Sequence, residues 1–280
     1  DKKYGVFIGD TINNFLASEK VDFIASHGHT IFHQPENKYT LQIGDGEVIA
    51  KITKTTIIND FRSLDISLNG QGAPLVPIGD LHLFSNYKYC VNLGGFSNIS
   101  IKNNGVITAF DICPVNIVLN EVCQQLGIEY DNNGDIAKSG KLIPTLLEQL
   151  NSLDFYKQKA PKSLSREWVK KNIYLLLKNH KTKDILNTFC EHIAIQIGIC
   201  LKNESALFTG GGVFNTYLIE RIKYHSYSKI IIPDNTLINF KESLIFAFLG
   251  VLRIENQVNC LQSVTGAKRD NCGGVIHHPC

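Results

Sequence analysis

Two short stretches constrain this chain more than anything else in it: CVNLGGFSNIS at 90–100 and ALFTGGGVFN at 206–215. In each, an apolar, strand-like run stops at consecutive glycines. One reading is local: a strand runs into a turn. The other is chemical. Glycine lets consecutive backbone N–H groups face outward and lets an anion approach closely, so such a turn can hold phosphate oxygens. A nucleotide needs both its phosphates and its nucleoside end held, which two junctions in one chain can supply. Neither stretch follows the G-x-x-x-x-G-K-[ST] pattern or the G-x-G-x-x-G pattern, which disfavours a P-loop NTPase and a Rossmann dehydrogenase.

Around these stretches, strand and helix signals alternate, which argues an α/β layer fold. VDFIAS (21–26), YTLQI (39–43) and TTIIND (55–60) read as strands, and DGEVIAKIT (45–53) as a helix capped by Asp45. KYCVNLGG (88–95) opens a second run, and NISIKNNGVITAFDI (98–112) reads as a hairpin turning at Asn103-Asn104-Gly105. Helices are expected at about 114–126, 134–151, 166–178, 182–202, 215–224 and 241–255, with strands at 206–212 and 228–233. The expected domains are 1–88 and 89–280, the second carrying both glycine loops.

Composition narrows the classes. The chain has 280 residues, 44% hydrophobic and 19% charged, with a formal net charge of +2. That suits a two-domain globular protein and speaks against nucleic acid as the main partner. The most apolar run, LIFAFLGVL at 244–252, is too short to span a bilayer and reads as a buried helix. The eight cysteines form no C-x-x-C pair and no metal-spaced cluster. With no secretory signal, they predict free thiols and a cytoplasmic setting. The chain starts at Asp1 and contains no Met, which predicts a fragment, a processed chain or an edited sequence.

Several polar clusters admit two readings each. In AFDICPVN, Asp111 either caps the helix after Pro114 or is a general base at the mouth of an interdomain cleft. SHGHTIFHQP offers Ser26, His27, His29 and His33. A three-His metal site, a Ser-His hydrolase and a strand-end His that bonds a polar ligand are all open, although the G-x-S-x-G elbow is absent. NDFRSLD offers Asp60, Arg62 and Asp65, either as a surface ion pair or with Arg62 gripping a carboxylate or phosphate. Ser163 or Ser165 in PKSLSRE reads as a helix cap, with Glu167 nearby. Glu242 opens an apolar helix, where an acid is ordinary.

Taken in order, SHGHTIFHQP, TLQIGDG, NDFRSLDISLNGQGAPLVP, VNLGGFSNIS, FDICPVN, YDNNGDIAKSG, PKSLSRE, FTGGGVFN and VTGA resemble the anhydro-N-acetylmuramic acid kinase family of the actin-like sugar-kinase superfamily. The resemblance runs from about Asp22 to the C-terminus. It implies a two-domain actin-like fold with ATP and sugar sites in the interdomain cleft. It implies that Gly94, Gly95, Ser97 and Asn98 wrap the ATP phosphates, and that Gly210, Gly211, Gly212 and Asn215 form the nucleoside-side loop. Asp111 falls on the catalytic base, Glu242 on an acid lining the sugar site, and His27 and Arg62 in motifs bordering it. The implied reaction uses ATP and Mg2+. Water attacks C1 of 1,6-anhydro-N-acetylmuramic acid, the internal bridge opens, and O6 takes the γ-phosphoryl group. The product is N-acetylmuramic acid 6-phosphate, in peptidoglycan recycling. A homodimer is implied as well, with the metal ligands unknown.

The chain also departs from the family pattern. Members begin with a strand and a Gly-Thr-Met-Ser-Gly-Thr-Ser-like phosphate loop, which this sequence does not show, so its first domain is expected to be incomplete. DKKYGVFIGDTINNFLASEK reads instead as a helix before the SHGHT strand. Ile112-Cys113 and Val115 stand where a more glycine-rich loop is usual, and Leu164-Ser165 where Thr-Gly is usual. The expectation is an enzyme whose present chain is weakly active or inactive. The alternatives are a degenerate sugar- or nucleotide-binding homologue and a Ser26/His27 hydrolase, which leaves both glycine loops unexplained.

Overall fold

The computed structural model describes residues 1–279; Cys280 lies outside the described residues. Chain contacts divide the protein into two compact units, residues 1–83 with 242–280 and residues 84–241. The first stretch folds as α1 (Lys2–Leu16), β1 (Phe23–Ala25), β2 (His29–Gln34), β3 (Tyr39–Ile43), α2 (Gly46–Thr53), β4 (Thr56–Asn59), α3 (Ser63–Ser67) and α4 (Pro77–His82). The Asp45 carboxylate accepts the Glu47 and Val48 N–H groups and starts α2. Ile49 and Ala50 of α2 pack on Ile57 of β4, with Ile8 and Ile12 of α1 beside them. At Gly9 of α1 a Cβ would lie 2.9 Å from Ile52, so α1 approaches α2 too closely for a side chain there.

The second unit opens with β5 (Tyr89–Leu93), β6 (Phe96–Asn103) and β7 (Val106–Pro114), followed by α5 (Asn116–Gln124), α6 (Asp135–Ser139), α7 (Pro144–Asn151), α8 (Asp154–Lys157), α9 (Arg166–Asn172) and α10 (Thr182–Cys200). Then come β8 (Ser205–Thr209), α11 (Thr216–His225) and β9 (Lys229–Ile231). The sheet order is β7-β6-β5-β8-β9, with β8 parallel to both β5 and β9 and the β5-β6-β7 part antiparallel. Val91, Leu93, Ile99 and Phe208 turn one sheet face into a core shared with α5, α10 and α11. The hairpin turns at Asn104 and Gly105, both at positive φ, as an Asn-Gly turn requires.

The helix expected over 134–151 is two helices. At Gly140 a Cβ would sit 2.0 Å from the Lys183 carbonyl oxygen, and Pro144 then starts a fresh helix. The helix expected over 166–178 ends at Asn172, and Ser165 is its cap, accepting the Trp168 N–H. Among the described residues no helix is long and apolar enough to cross a membrane. The seven described cysteines are free thiols.

The chain then returns to the first unit through α12 (Asn235–Ile254), α13 (Gln262–Thr265) and β10 (Val275–His277). A boundary at 88 alone leaves 242–280 with the second unit; strand pairing puts it with the first. β4 is flanked by β1, parallel, and β10, antiparallel. A buried carboxylate fastens the same return. Asp65 accepts the Gly72 N–H through Oδ2 at 2.8 Å. Its Oδ1 accepts Thr265 Oγ1 and Asn271 Nδ2 at 2.8 Å each, and the Cys260 thiol at 3.1 Å. Asp65 therefore belongs to no surface ion pair. Asp60 does not either: its carboxylate caps α3 through the Ser63 N–H and hydroxyl.

Removing the Asp65 carboxylate leaves several buried donors without an acceptor, at about 1–3 kcal/mol each. Asp65→Ala is expected to cost at least about 3 kcal/mol in chemical denaturation. A loss below about 1 kcal/mol would contradict the role given to this carboxylate.

Candidate active site

The strands β5 and β8 lie side by side and parallel, so their C-terminal ends bring both glycine turns to one edge of the sheet. At Gly210 φ is +85°, and a Cβ would sit 2.5 Å from Asn92 Oδ1 and 2.8 Å from the Leu93 carbonyl oxygen. At Gly212 a Cβ would sit 2.8 Å from Leu93 Cβ. These two glycines are required because the second loop packs on the end of β5. Gly211 between them is exposed, and a Cβ there would meet nothing within 4 Å. At exposed Gly95 it would meet only Ile117, at 3.8 Å. Packing does not demand glycine at these two outward positions, which leaves close approach of another molecule as a reason for it.

The carbonyls of the first turn face inward. Gly94 O accepts the Asn116 N–H at 3.2 Å, and Gly95 O accepts the N–H groups of Val115 and Ile117 at 2.8 and 3.2 Å. The first amides of α5 are thus already bonded.

Strand register sets the side chains. Asn92 of β5 pairs with Asn98 of β6 on one side and Thr209 of β8 on the other. Asn98 in turn pairs with Asp111 of β7. Paired residues share a sheet face, so Asp111, Asn98, Asn92 and Thr209 form a polar row across four strands, on the face opposite the helix-packed core. The Thr209 hydroxyl is buried without a hydrogen-bond partner. Asp111 is in this row only because of a bulge. Ser97 pairs with Cys113 and Asn98 with Asp111, so Ile112 is an extra residue. Without it Asp111 would turn to the core face.

Asp111 is not a helix cap; Val115 holds that position for α5. Its Oδ2 accepts the Leu164 N–H at 2.8 Å, and its own N–H donates to the Lys162 carbonyl at 3.0 Å. Burial pushes its pKa above the usual carboxylate range, and the Leu164 N–H opposes that rise. A carboxylate with a raised pKa, held by Leu164 through one oxygen only, is chemically able to accept a proton.

Other expected residues separate. Ser97 pairs with Leu93 and Cys113 and so faces the core, where its hydroxyl is buried without a partner. Asn215 caps α11, its Oδ1 accepting the Leu218 N–H at 2.9 Å. Asn92 and Thr209 were not singled out by sequence, although a lone polar residue inside a buried strand, as in CVNLGG, was a usable signal.

In the first unit His27, Arg62 and Glu242 come together. His27 Nδ1 donates to the Gly28 carbonyl at 3.1 Å, and Nε2 accepts from an Arg62 Nη at 2.8 Å. The other Arg62 Nη donates to the Gly72 carbonyl at 2.6 Å, and its Nε is buried without a partner. Burial first, and Arg62 second, lower the His27 pKa, while the Glu242 carboxylate opposes both. Burial also lowers the Arg62 pKa, and Glu242 counters it. Phe246, one turn beyond Glu242 on α12, stands edge-to-face with His27 at 4.8 Å between ring centroids. With both ring nitrogens engaged, His27 cannot serve a Ser26 nucleophile or a metal. Among the described residues no group of three or more His, Cys, Asp or Glu could hold a metal ion.

A profile of the family described as anhydro-N-acetylmuramic acid kinase matches residues 1–279. The chain is 34% identical over 291 residues to an anhydro-N-acetylmuramic acid kinase of Bacillus cereus (strain Q1), covering 93% of this chain and 76% of that one. It is 32% identical over 296 residues to that of Sulfurovum sp. (strain NBC37-1), covering 99% and 82%. Against that of Aliivibrio fischeri the identity is 34% over 286 residues, covering 94% and 77%. Among solved structures, component A of (R)-2-hydroxyglutaryl-CoA dehydratase from Acidaminococcus fermentans aligns over 75% of each chain, at 16% identity and a TM-score of 0.41.

The His27–Arg62 contact makes a pH prediction. The folded imidazole has a lowered pKa, so the folded state binds fewer protons than the unfolded state as pH falls below the ordinary value of 6.5. The stabilisation is present above 6.5 and is lost as pH falls through the lowered folded value. In denaturation midpoints, the difference between wild type and His27→Gln is therefore expected to shrink on acidification. A difference independent of pH would contradict this geometry.

Proposed function

The chain belongs to the anhydro-N-acetylmuramic acid kinase family and is a sugar kinase, and we propose that Asp111 is its general base. The observation that carries this reading is the bulge that turns Asp111 into the polar row beside both glycine turns. In the proposed reaction Asp111 takes a proton from water as the water oxygen attacks C1 of 1,6-anhydro-N-acetylmuramic acid. The C1–O6 bond breaks. O6 attacks the γ-phosphorus of ATP, and ADP leaves. N-acetylmuramic acid 6-phosphate is the product.

The Gly94-Gly95 turn and Gly210–Gly212 serve the nucleotide, with Gly95 and Gly211 as the open faces where phosphate can approach. Asn98 and Asn92 line the way between base and nucleotide. Ser97 and Asn215 support these loops from the core and from α11 instead of touching ATP. His27, Arg62 and Glu242 serve the sugar, with buried Phe246 packed behind His27. The Arg62 guanidinium suits a carboxylate, and its position is set by His27 and Gly72.

Magnesium would supply positive charge to offset that of the ATP phosphates, held largely through water. Asn92 and the unpartnered Thr209 hydroxyl fit that water shell. The homodimer rests on the family resemblance, and the cytoplasmic setting on the free thiols.

The test is product analysis. With ATP, magnesium and the anhydro sugar, mass spectrometry is expected to show the sugar gaining one water and one phosphoryl group. Asp111→Asn is expected to lower that rate by about 10²–10⁴-fold, the usual worth of a positioned base. A variant within tenfold of wild type would remove Asp111 from the role.

A further inference from the structure

The loop over 158–165 holds Asp111 from two sides, through the Lys162 carbonyl and the Leu164 N–H. The Gln158 N–H and the Lys162 side chain both tie this loop to Phe155. The lysine Nζ donates to the Phe155 carbonyl at 3.2 Å. It also lies 4.5 Å from the centroid of the Phe155 ring and 5.9 Å from that of Phe110, the residue before Asp111. No carboxylate bonds this ammonium among the described salt bridges. Its partners are ring faces, one carbonyl and the nearby Cys113 and Cys200 thiols. A partly buried cation held this way is costly to keep, since ring faces and a carbonyl replace water and a counter-ion.

The anchor beneath it is rigid. Phe155 packs against Trp168 at 5.4 Å and against Tyr156 at 5.6 Å. The Tyr156 hydroxyl bonds Nε2 of the fully buried His192 on α10 at 2.8 Å, and His192 Nδ1 bonds Asn151 Oδ1 at 2.7 Å. Gln196 donates to the same Asn151 oxygen at 2.8 Å. The His192 imidazole, pushed down to about 3 by burial, stays neutral, so Nδ1 donates to Asn151 and Nε2 accepts from Tyr156. A continuous set of contacts thus runs from the buried α10 network through Phe155 and Lys162 to the carboxylate of Asp111.

We propose that Lys162 is a positioning residue for the general base: it ties the 158–165 loop to Phe155 and so keeps the Leu164 N–H on Asp111 Oδ2. This rests on the reading of Asp111 as the base. It adds a role for the lysine of PKSLSRE. Cys113 of β7 is the titratable group that faces Asp111, and Cys113 in turn faces Lys162, Tyr156 and Cys200 at the end of α10.

The decisive readout is the titration of the Asp111 carboxyl, followed by carbon-13 NMR in the whole protein. The Leu164 N–H favours the ionised carboxylate, so its loss raises the pKa. Lys162→Met, which keeps the stem and loses the donor and the charge, is expected to move the Asp111 titration upward. It should lower kcat by more than tenfold, with KM for both substrates within twofold. Lys162→Arg is expected to restore most of both. A folded Lys162→Met protein with an unmoved Asp111 titration would overturn the proposal, as would a loss confined to KM. Should that variant not fold, the unaltered protein still decides. Its Leu164 amide must be protected from hydrogen exchange while Asp111 is ionised, and free exchange there would overturn the proposal. If Asp111→Asn keeps its rate, the base reading itself fails; if only Lys162→Met is silent, that reading stands and this one falls.

Discussion

One extra residue in β7 is the constraint on which the site depends. Side chains alternate across a strand, so a one-residue insertion exchanges the faces of everything beyond it. Ile112 is that insertion, buried at 2% exposure in the helix-packed core. On its C-terminal side Cys113 and Val115 stay in the core with it. On its N-terminal side Asp111 crosses to the other face and falls in line with Asn98, Asn92 and Thr209. The energetic sense is plain. A carboxylate on the core face would lack any compensating partner, whereas on the polar face it meets an amide N–H and the row of side chains. The pairing of β5 with β8 then puts that row beside both glycine turns.

The two units handle charge by different means. In the second, burial raises the pKa of the Asp111 carboxyl and one N–H donor opposes the rise. In the first, one carboxylate is spent on architecture. Asp65 ties the loop at 69–72 to residues 260–271, and that loop supplies the Gly72 carbonyl which orients Arg62. Arg62 then fixes the tautomer of His27. Asp65 and the Arg62–His27 pair are therefore linked through one loop, and a change at Asp65 is felt at the guanidinium.

Much of this was legible in the sequence, for identifiable reasons. Asp45, Ser165 and the Asn104-Gly105 turn act through neighbours a few residues away, so their roles could be read locally. The glycine turns were legible because apolar runs ending in consecutive glycines have few uses. The family resemblance singles out Asp111 and says nothing of its orientation, because a bulge is a property of pairing between strands. The break at Gly140 depends on the Lys183 carbonyl, far along the chain, and strong helical periodicity on both sides concealed it. Asp65 looked like half of a surface ion pair because its partners Cys260, Thr265 and Asn271 lie near the other end of the chain. Ser97 and Asn98 are adjacent and equally polar, and only register sends one to the core and the other to the row.

The central claim is that the polar row and the two glycine turns form one nucleotide-facing edge. Titration of the nitrogen-15-labelled protein with magnesium ATP, read as amide chemical-shift changes, tests it most directly. The account predicts the largest changes at Gly94, Gly95 and Thr209 through Gly212, with Asn92 and Asn98 following and the amides of the core-facing α10 unmoved. Saturable shifts that leave both glycine turns unaffected would contradict it.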